Sequence, residues 1–490
     1  MSNTISHLLS TLNPEQRSAV EKIDGPVLVL AGPGTGKTHV LTTRIAHILD
    51  QTDVQPHNIL ALTYSDAGAK TMQTRLIELI GLPAYDVTIS TFHAFSSDLI
   101  MKHQSDYTKL TGYTQITDLE QSEILESILK ELKVTKILYK GKISDSISSI
   151  INLISSLKQE HQTPLLLKKF LKDEREVLPD QPAKDTKKAR TDLNRARKQL
   201  DKLEEFIQVF ASYQTALQEK KRYDYADMVL FALDLLENNP DVLLELQEQY
   251  QYVLVDEFQD TNTSQYELLD KLTSYWEEKA NLFVVGDPDQ TIYRFQGASL
   301  ENIHRFQARF PQAHIVQLQE NYRSTQPILD AAESIIKLNT DHVRKEALSA
   351  NSTESGHTIE VTTHASTLYE QIWIAQQVKE LIESEESPNE IAILTKQRKE
   401  VETLAEIFSR MEIPFLLDKG VDAVSHPSML QLRRFLSAIS SMTLEKPEDD
   451  QLFTVMSYPW LNLDFTDVLT LFRYCKDART SFGSYLLGDS

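Results

Sequence analysis

Residues 27–49 read VLVLAGPGTGKTHVLTTRIAHIL, a segment that predicts a strand, a loop and a helix in succession. It opens with a short apolar run that is long enough for one buried strand. A glycine-rich loop follows, closed by Lys37 and Thr38, and a helical pattern of apolar residues continues to residue 49. Strand, loop and helix in this order predict a phosphate-binding loop, because glycines let backbone N–H groups turn towards an anion at a helix N-terminus.

The loop is predicted to bind a nucleoside triphosphate together with Mg²⁺. Glycine is rare in this chain, with 14 among 490 residues, yet three glycines fall within five positions here, which argues against a merely flexible turn. Lys37 would neutralise the β- and γ-phosphates of ATP, and the Thr38 hydroxyl would ligate Mg²⁺. The predicted ATP-binding residues of this segment are Ala31, Gly32, Pro33, Gly34, Thr35, Gly36, Lys37 and Thr38.

A catalytic pair of acids is predicted at the end of a second apolar run. The segment Val253-Leu254-Val255 is followed directly by Asp256 and Glu257. Two acids that end a strand carry no function by themselves. Beside a phosphate loop they meet two further needs of phosphoryl transfer, with Asp256 as a Mg²⁺ ligand and Glu257 as the base that orients or deprotonates water.

Length and composition predict a multidomain cytoplasmic protein. The 490 residues suggest about three domains. A single cysteine, Cys475, excludes an internal disulfide and a cysteine-based zinc site, which fits a reducing compartment. No apolar run approaches the roughly 18 residues that span a bilayer, and the first residues lack the features of a signal peptide. We therefore expect no membrane association.

The net charge does not decide which kind of partner the protein binds. The net charge of −21, from 50 basic and 71 acidic residues, argues against a protein coated in nucleic acid. Residues 184–202 nevertheless carry eight lysines and arginines against three aspartates. This segment is either the solvated outer face of a helical hairpin or a surface that contacts phosphates, and the sequence favours neither.

The order of patterns predicts α/β units with helical insertions. Apolar runs at 59–63, 87–90, 251–256 and 281–286 alternate with helical patterns, which indicates a parallel, doubly wound sheet. From about residue 114 to 217 the pattern is helical, with a long helix between Ala196 and Leu217. A second α/β unit is predicted from Pro311, with strands at 315–318, 358–361 and 390–394, and the chain is helical beyond residue 420.

Eight motifs resemble those of the UvrD/Rep/PcrA-like superfamily 1 DNA helicases, in the order of that family. Four are GPGTGKT, VDEFQDTN, GDPDQTIYRFQGAS (286–299) and ENYRST (320–325). The others are LNPEQ (12–16), LTYSDAGAKTMQTRL (62–76), ISTFHAF (89–95) and DYADMVLFAL (224–233). The resemblance covers essentially the whole chain and implies a P-loop NTPase with RecA-like doubly wound parallel sheets.

The resemblance also implies roles for single residues at the nucleotide. Gln16 would read the adenine edge, Tyr322 would stack on adenine, and Arg44 would face the same pocket. Gln290 would sense the γ-phosphate. Arg323 would act as an arginine finger that stabilises charge during phosphoryl transfer.

A DNA-binding face and a division into domains follow from the same resemblance. The residues implied to contact single-stranded or duplex DNA are Thr63, Tyr64, Thr91, His93, Tyr293 and Phe295. The implied domains are a first RecA-like lobe (1A, 1–113 and 218–310), a helical insertion (1B, 114–217), the first part of a second lobe (2A, 311–420) and the start of another insertion (2B, 421–490). Core packing is the alternative for Tyr293 and Phe295.

The chain departs from the family pattern in several places. Asp66 and Ala67 replace an amide and a lysine of one motif, which predicts weaker phosphate contact. Gln296 stands where the family often has arginine, and Ala226 replaces an aspartate. Nothing after Ser324 reads as motif V or as the arginine-bearing motif VI. We therefore expect either a fragment of a longer product or a second chain that supplies both motifs.

The sequence thus predicts an ATP-dependent DNA helicase or translocase, moving 3′ to 5′ on single-stranded DNA, in repair, replication or recombination. One alternative is the helicase part of a RecB/AddA-like helicase–nuclease. A second is a non-catalytic module that binds ATP and DNA without productive turnover.

Overall fold

The computed structural model describes residues 2–104, 108–179, 187–291, 301–338, 347–352, 358–417, 427–443, 449–478 and 480–488. The chain forms two compact units, residues 1–359 and residues 360–490. Within the described ranges, no helix combines the length and the apolar character needed to cross a bilayer.

A six-stranded parallel sheet organises the first unit. Strands in the described ranges are β1 (Val27–Ala31), β2 (Ile59–Thr63), β3 (Thr88–Thr91), β4 (Thr114–Gln115), β5 (Arg222–Tyr223), β6 (Tyr252–Val255), β7 (Leu282–Gly286), β8 (His314–Leu318), β9 (Glu320–Asn321) and β10 (Ser349–Ala350). The large sheet has the order β3-β2-β6-β7-β1-β8, with every pair parallel. The predicted α/β fold with a parallel sheet is confirmed.

Helices cover both faces of this sheet. Those of the first unit are α1 (Ser2–Thr11), α2 (Pro14–Glu21), α3 (Lys37–Gln51), α4 (Asp66–Ile80), α5 (Phe92–Lys102), α6 (Asp118–Glu131), α7 (Ile147–Gln159), α8 (Pro164–Val177), α9 (Lys187–Glu219), α10 (Asp227–Asn238), α11 (Pro240–Gln249), α12 (Thr263–Thr273), α13 (Glu301–Arg309) and α14 (Gln326–Ile336).

The continuous apolar runs of the central strands are explained by burial on both faces. Side chains alternate between the faces of a strand, so each apolar run contributes side chains to two cores. Leu28 and Leu30 of β1 join a cluster with α5 and α10 to α13. Val27 and Val29 of the same strand join a cluster with α1 to α4. The carboxyl ends of the parallel strands therefore meet at one open edge.

Helices α6 to α9 form a separate core between β3 and β6 in the chain. Residues of all four helices share one apolar cluster. The short strands β4 and β5, which flank these helices in the chain, pair in parallel. The predicted helical block and its long helix, α9, are present in the structure. The apolar spacing of α9 places Phe206, Phe210 and Tyr213 in that cluster.

The strand predicted to open the second α/β unit belongs to the first sheet. β8 pairs with β1 in parallel register, from His314 beside Val27 to Leu318 beside Ala31. Short strand β9 follows β8 and pairs with β10. The expectation that residues 315–318 begin a separate sheet is corrected, because β1 offers this strand a complete hydrogen-bonding partner.

All the regular secondary structure among the described residues of the second unit is helical. Its helices are α15 (Thr367–Glu383), α16 (Arg398–Arg410), α17 (Pro427–Thr443), α18 (Asp449–Met456), α19 (Phe465–Asp477) and α20 (Phe482–Leu487). One apolar cluster joins α15 to α16, and another joins α17 to α20. The strands predicted at 358–361 and 390–394 are absent, because neither segment has a hydrogen-bonded neighbour strand among the described residues.

Candidate functional site

The glycine loop after β1 forms a cradle at the N-terminus of α3. Gly34 and Gly36 have φ of +71° and +86°, a region that glycine enters without steric cost. Thr35 is buried, and its hydroxyl donates to the Gly32 carbonyl at 2.8 Å, which fixes the loop from inside. The loop thus directs backbone N–H groups and a helix dipole at one point, as an anion requires.

The predicted acidic pair lies beside this loop. Lys37 Nζ is 2.7 Å from Glu257 Oε2. The Thr38 hydroxyl donates to Asp256 Oδ2 over a longer distance of 3.4 Å. The structure therefore brings together the four residues predicted for phosphate, metal and water chemistry.

The site carries more negative charge than its lysine balances. Burial, and after it the charge of Glu257, raises the pKa of Asp256 to about 6. The same two causes raise the pKa of Asp260 to about 6, and its buried Oδ1 has no hydrogen-bond partner within the described part of the chain. A cation would relieve this excess, and the oxygens of Thr38 and Asp256 are the hard donors that Mg²⁺ prefers. The residues present fit the ion.

Glu257 is held in an unusual backbone conformation. Its φ of +49° is left-handed, which is uncommon for a residue with a side chain. Gln259 Nε2 donates to Glu257 Oε2 at 2.7 Å. The same carboxylate oxygen therefore accepts from both Lys37 and Gln259.

Gln290 is joined to Glu257 through a chain of hydrogen bonds. Gln259 Oε1 accepts from the Asp287 N–H at 2.8 Å, and Gln290 Nε2 donates to Asp287 Oδ2 at 3.0 Å. Gly286 permits this packing, because a Cβ there would lie 2.5 Å from Gln259 Oε1. Sequence reasoning missed the linking roles of Gln259 and Asp287, although both lie within recognised motifs.

The ENYRST segment rests directly on the glycine loop. The Tyr322 N–H donates to the Gly34 carbonyl at 2.9 Å, and the Asn321 side-chain amide donates to the Pro33 carbonyl. A Cβ on Gly34 would lie 2.6 Å from Arg323 Cβ. The predicted finger Arg323 therefore starts beside the phosphate cradle. Asn321 is a contact that the sequence did not reveal.

Gln16 and Tyr322 are connected through Asn13, the N-cap of α2. Asn13 Oδ1 accepts from the Gln16 N–H at 2.8 Å, while Asn13 Nδ2 donates to Tyr322 Oη at 3.1 Å. Gln16 Nε2 donates to the Thr35 carbonyl at 3.0 Å. Burial, followed by its hydrogen bond to Glu320, raises the pKa of Tyr322 to about 12. Both residues predicted to contact adenine therefore border the loop.

Arg44 does not face this pocket, and its predicted role is corrected. Its side chain is 1% exposed, and its guanidinium donates to the carbonyls of Ala19, at 2.8 Å, and Ile23, also at 2.8 Å. Burial lowers the pKa of Arg44 to about 9. These carbonyls lie at and beyond the end of α2, where orphan acceptors attract a cation. Arg44 thus joins α3 to α2.

Residues predicted to contact DNA gather at the ends of β2 and β3. Thr63 is buried, Tyr64 is partly exposed, and the Thr91 hydroxyl accepts from the Ala94 N–H as the cap of α5. The His93 ring stacks on Tyr225, with 3.9 Å between centroids and 20° between planes. Sequence reasoning missed Tyr225, which lies 55% exposed in the segment Asp224 to Asp227. Tyr293 and Phe295 lie outside the described residues.

Fold and cradle together define a P-loop nucleoside triphosphatase. Residues 12–311 match the UvrD/REP helicase N-terminal domain, and residues 316–423 match the UvrD-like helicase C-terminal domain. The chain therefore belongs to the UvrD/Rep helicase family.

Similar proteins include ATP-dependent DNA helicases PcrA from two staphylococci. The protein of Staphylococcus epidermidis is 31% identical over 434 residues, and that of Staphylococcus aureus is 31% identical over 435 residues. Each match covers 89% of this chain. The chain spans about half the length of these relatives, 54% in both cases.

Proposed function

We propose that this chain is the ATP-hydrolysing part of a DNA helicase or translocase that moves 3′ to 5′ on single-stranded DNA. The observation that carries the proposal is the 2.7 Å contact between Lys37 and Glu257, with Thr38 and Asp256 alongside. This set joins a phosphate cradle to a metal ligand and a base, as phosphoryl transfer requires. The relatives named above are ATP-dependent DNA helicases, which supports the same reaction class.

In this proposal the cradle, Gln16 and Tyr322 bind ATP. The loop N–H groups would receive the phosphates, and Gln16 could donate and accept at the adenine edge through its amide. Thr38 and Asp256 would hold Mg²⁺, which when bound neutralises charge on the phosphate oxygens.

In this proposal Lys37 controls when Glu257 can act as the base. While Lys37 pairs with Glu257, the lysine occupies the carboxylate oxygen that would contact the attacking water. Phosphates in the cradle would draw Lys37 away and leave Glu257 free to take a proton from water. Gln259 remains bonded to Glu257 and would keep the carboxylate oriented through this exchange.

Arg323 and Gln290 are proposed to respond to the nucleotide. Arg323 begins against Gly34 and is an exposed residue, so its guanidinium could reach charge that develops at the phosphates. Gln290 is linked to Glu257 through Asp287 and Gln259. A change at the base would therefore alter the start of the segment that contains Tyr293 and Phe295.

The proposed DNA track starts at Tyr64, His93 and Tyr225. Aromatic rings stack on any base, so they can grip a strand without sequence preference and release it step by step. Thr63 and Thr91 would contact the backbone, and Tyr293 and Phe295 would extend the track. We also propose the domain division 1A, 1B, 2A and 2B, with β8 assigned to the 1A sheet.

The test is ATP turnover with and without oligo(dT), using the wild-type chain and Glu257→Gln. We expect weak Mg²⁺-dependent turnover with little stimulation by DNA in the wild type, and loss of that turnover in Glu257→Gln. A chain that binds ATP and DNA but shows no Glu257-dependent turnover would instead be the non-catalytic module.

A further inference from the structure

A buried lysine of the helical insertion lies in a cluster that the nucleotide chemistry does not use. Lys158, near the end of α7, is 1% exposed. Its Nζ lies 2.6 Å from Asp224 Oδ2 and 2.8 Å from Asp227 Oδ1. The Tyr213 hydroxyl donates to the same Asp224 oxygen at 3.2 Å. Breaking a buried charge set of this kind is costly, so its geometry is strongly constrained.

The two aspartates close a tight turn at the start of α10. The Asp224 N–H donates to Asp227 Oδ2 at 3.0 Å, and the Asp227 N–H donates to Asp224 Oδ1 at 3.2 Å. Each carboxylate thus uses one oxygen for the turn and the other for Lys158. Only Tyr225 and Ala226 lie between them, and the Tyr225 ring stacks on His93.

We propose that Lys158 is a positioning residue for DNA binding: it locks the turn from Asp224 to Asp227 and so holds the Tyr225 ring against His93. The inference rests on the proposed function, because it takes single-stranded DNA as the ligand of this face. A fixed ring loses less conformational entropy on binding than a mobile one, so the lock increases affinity without a contact to DNA.

The two residues that follow α7 make a further contact, with helix α12. Glu160 accepts a hydrogen bond from the Thr263 hydroxyl, and the His161 ring pairs with Glu267. Both partners lie on α12, which begins directly after the loop that carries Asp256 and Glu257. These contacts fix the end of α7, so Lys158 can support the turn from Asp224 to Asp227 rigidly.

The first test measures order at the turn without DNA. The native cysteine, Cys475, is buried, so a spin label attached to a Tyr225→Cys variant reports on this turn alone. We expect a restricted label in that background and a clearly more mobile one when Lys158→Met is added. Lys102→Met, which removes an exposed lysine paired with Glu245, is the matched control and should leave the label restricted. An equally restricted label in Lys158→Met would overturn the proposal.

The second test measures the consequence for binding of oligo(dT) to the full chain. Loss of one stacked base predicts binding weaker by about 5- to 150-fold in Tyr225→Ala. Lys158→Met should weaken binding by a similar or smaller factor, and the double variant should be no weaker than Tyr225→Ala. Factors that multiply in the double variant would show that Lys158 does not act through Tyr225.

A further variant guards against simple unfolding. Lys158→Met leaves two buried carboxylates without a cation, whereas Asp227→Asn leaves the neutral pair of Lys158 and Asp224. Asp227→Asn should mobilise the label and weaken oligo(dT) binding, and wild-type values in both assays would overturn the proposal. If the wild-type chain binds no DNA but the label becomes more mobile in Lys158→Met, the proposed function is contradicted. The restraint of the turn by Lys158 is then still supported.

Discussion

The side chains of Lys37 and Glu257 form an ion pair, with 2.7 Å between Nζ and Oε2, that joins the glycine loop to the end of β6. Glu257 also accepts from Gln259, and Asp256 lies beside Thr38. The predicted phosphate ligand and the predicted base therefore neutralise one another in this structure. Nucleotide binding would separate them, so each partner has its own measurable role.

Lys37→Ala should abolish ATP turnover while the fold survives. Loss of the charge that stabilises the transferred phosphoryl group costs on the order of several kcal/mol of barrier. Turnover and circular dichroism are measured in parallel. Lys102→Ala removes an exposed ion-paired lysine and should behave like the wild type. Wild-type turnover in folded Lys37→Ala would refute the assignment of the phosphate loop.

Glu257→Gln should keep Mg²⁺–ATP binding and lose hydrolysis. The amide retains the size of the side chain but cannot accept the proton, so turnover should fall by roughly two to four orders of magnitude. Asp256→Asn should instead weaken metal-dependent binding. Binding is followed with a fluorescent ATP analogue and turnover by phosphate release. If both variants abolish nucleotide binding, the proposed division of roles is wrong.

Gly34→Ala should disrupt the contact between the glycine loop and the ENYRST segment. The new Cβ would lie 2.6 Å from Arg323 Cβ and 2.8 Å from Asn321 Nδ2, at a φ of +71°. Gly25→Ala is the matched control, because Gly25 has a φ of +82° but nothing within 4 Å of its Cβ position. Gly25→Ala should cost only about 1–2 kcal/mol of backbone strain.

Affinity for the ATP analogue and thermal unfolding separate the two effects of these glycine variants. Gly34→Ala should bind the ATP analogue more weakly than the wild type even at temperatures at which it is folded. Gly25→Ala should bind the analogue with wild-type affinity. Equal affinities in both variants would mean that the close approach of Arg323 does not matter for the nucleotide.

Local patterns predict the six strands of the large sheet and the glycine loop, because both depend on neighbouring residues. The apolar pattern of a strand does not identify its neighbour in a sheet. The pattern of residues 315–318 therefore predicts a strand of a second α/β unit, although β8 pairs with β1. Residues 358–361 and 390–394 have strand-like composition but lack a paired neighbour among the described residues. A strand forms only where such a neighbour exists.

Side-chain direction limited the prediction of the site. Arg44 follows Lys37 by about two helical turns and so shares its face, but its long side chain extends to carbonyls at and beyond the end of α2. Tyr225 stacks on His93 from a different segment of the chain, and Asn321 reaches the Pro33 carbonyl. Such contacts depend on tertiary packing, which spacing along one sequence does not reveal.

His93 should be neutral under physiological conditions, and its effect on stability should depend on pH. Burial lowers the pKa of His93 to about 4 from 6.5, and the charge of Asp66 opposes this only in part. Between these values the unfolded chain binds more protons than the native chain, so the free energy of unfolding falls as pH decreases from 6.5 towards 4. His93→Phe keeps an aromatic ring against Tyr225 and removes this proton uptake.

His93→Phe should therefore lose less thermal stability than the wild type between pH 7.5 and pH 5, as measured by circular dichroism. His57→Phe, a change at an exposed position, should lose as much as the wild type. Because neutral His93 contributes stacking and not charge, His93→Phe should also bind oligo(dT) with an unchanged salt dependence at pH 7.5. A shallower salt dependence in His93→Phe would show that a charged His93 contacts phosphate, contrary to the stacking role proposed for a neutral His93.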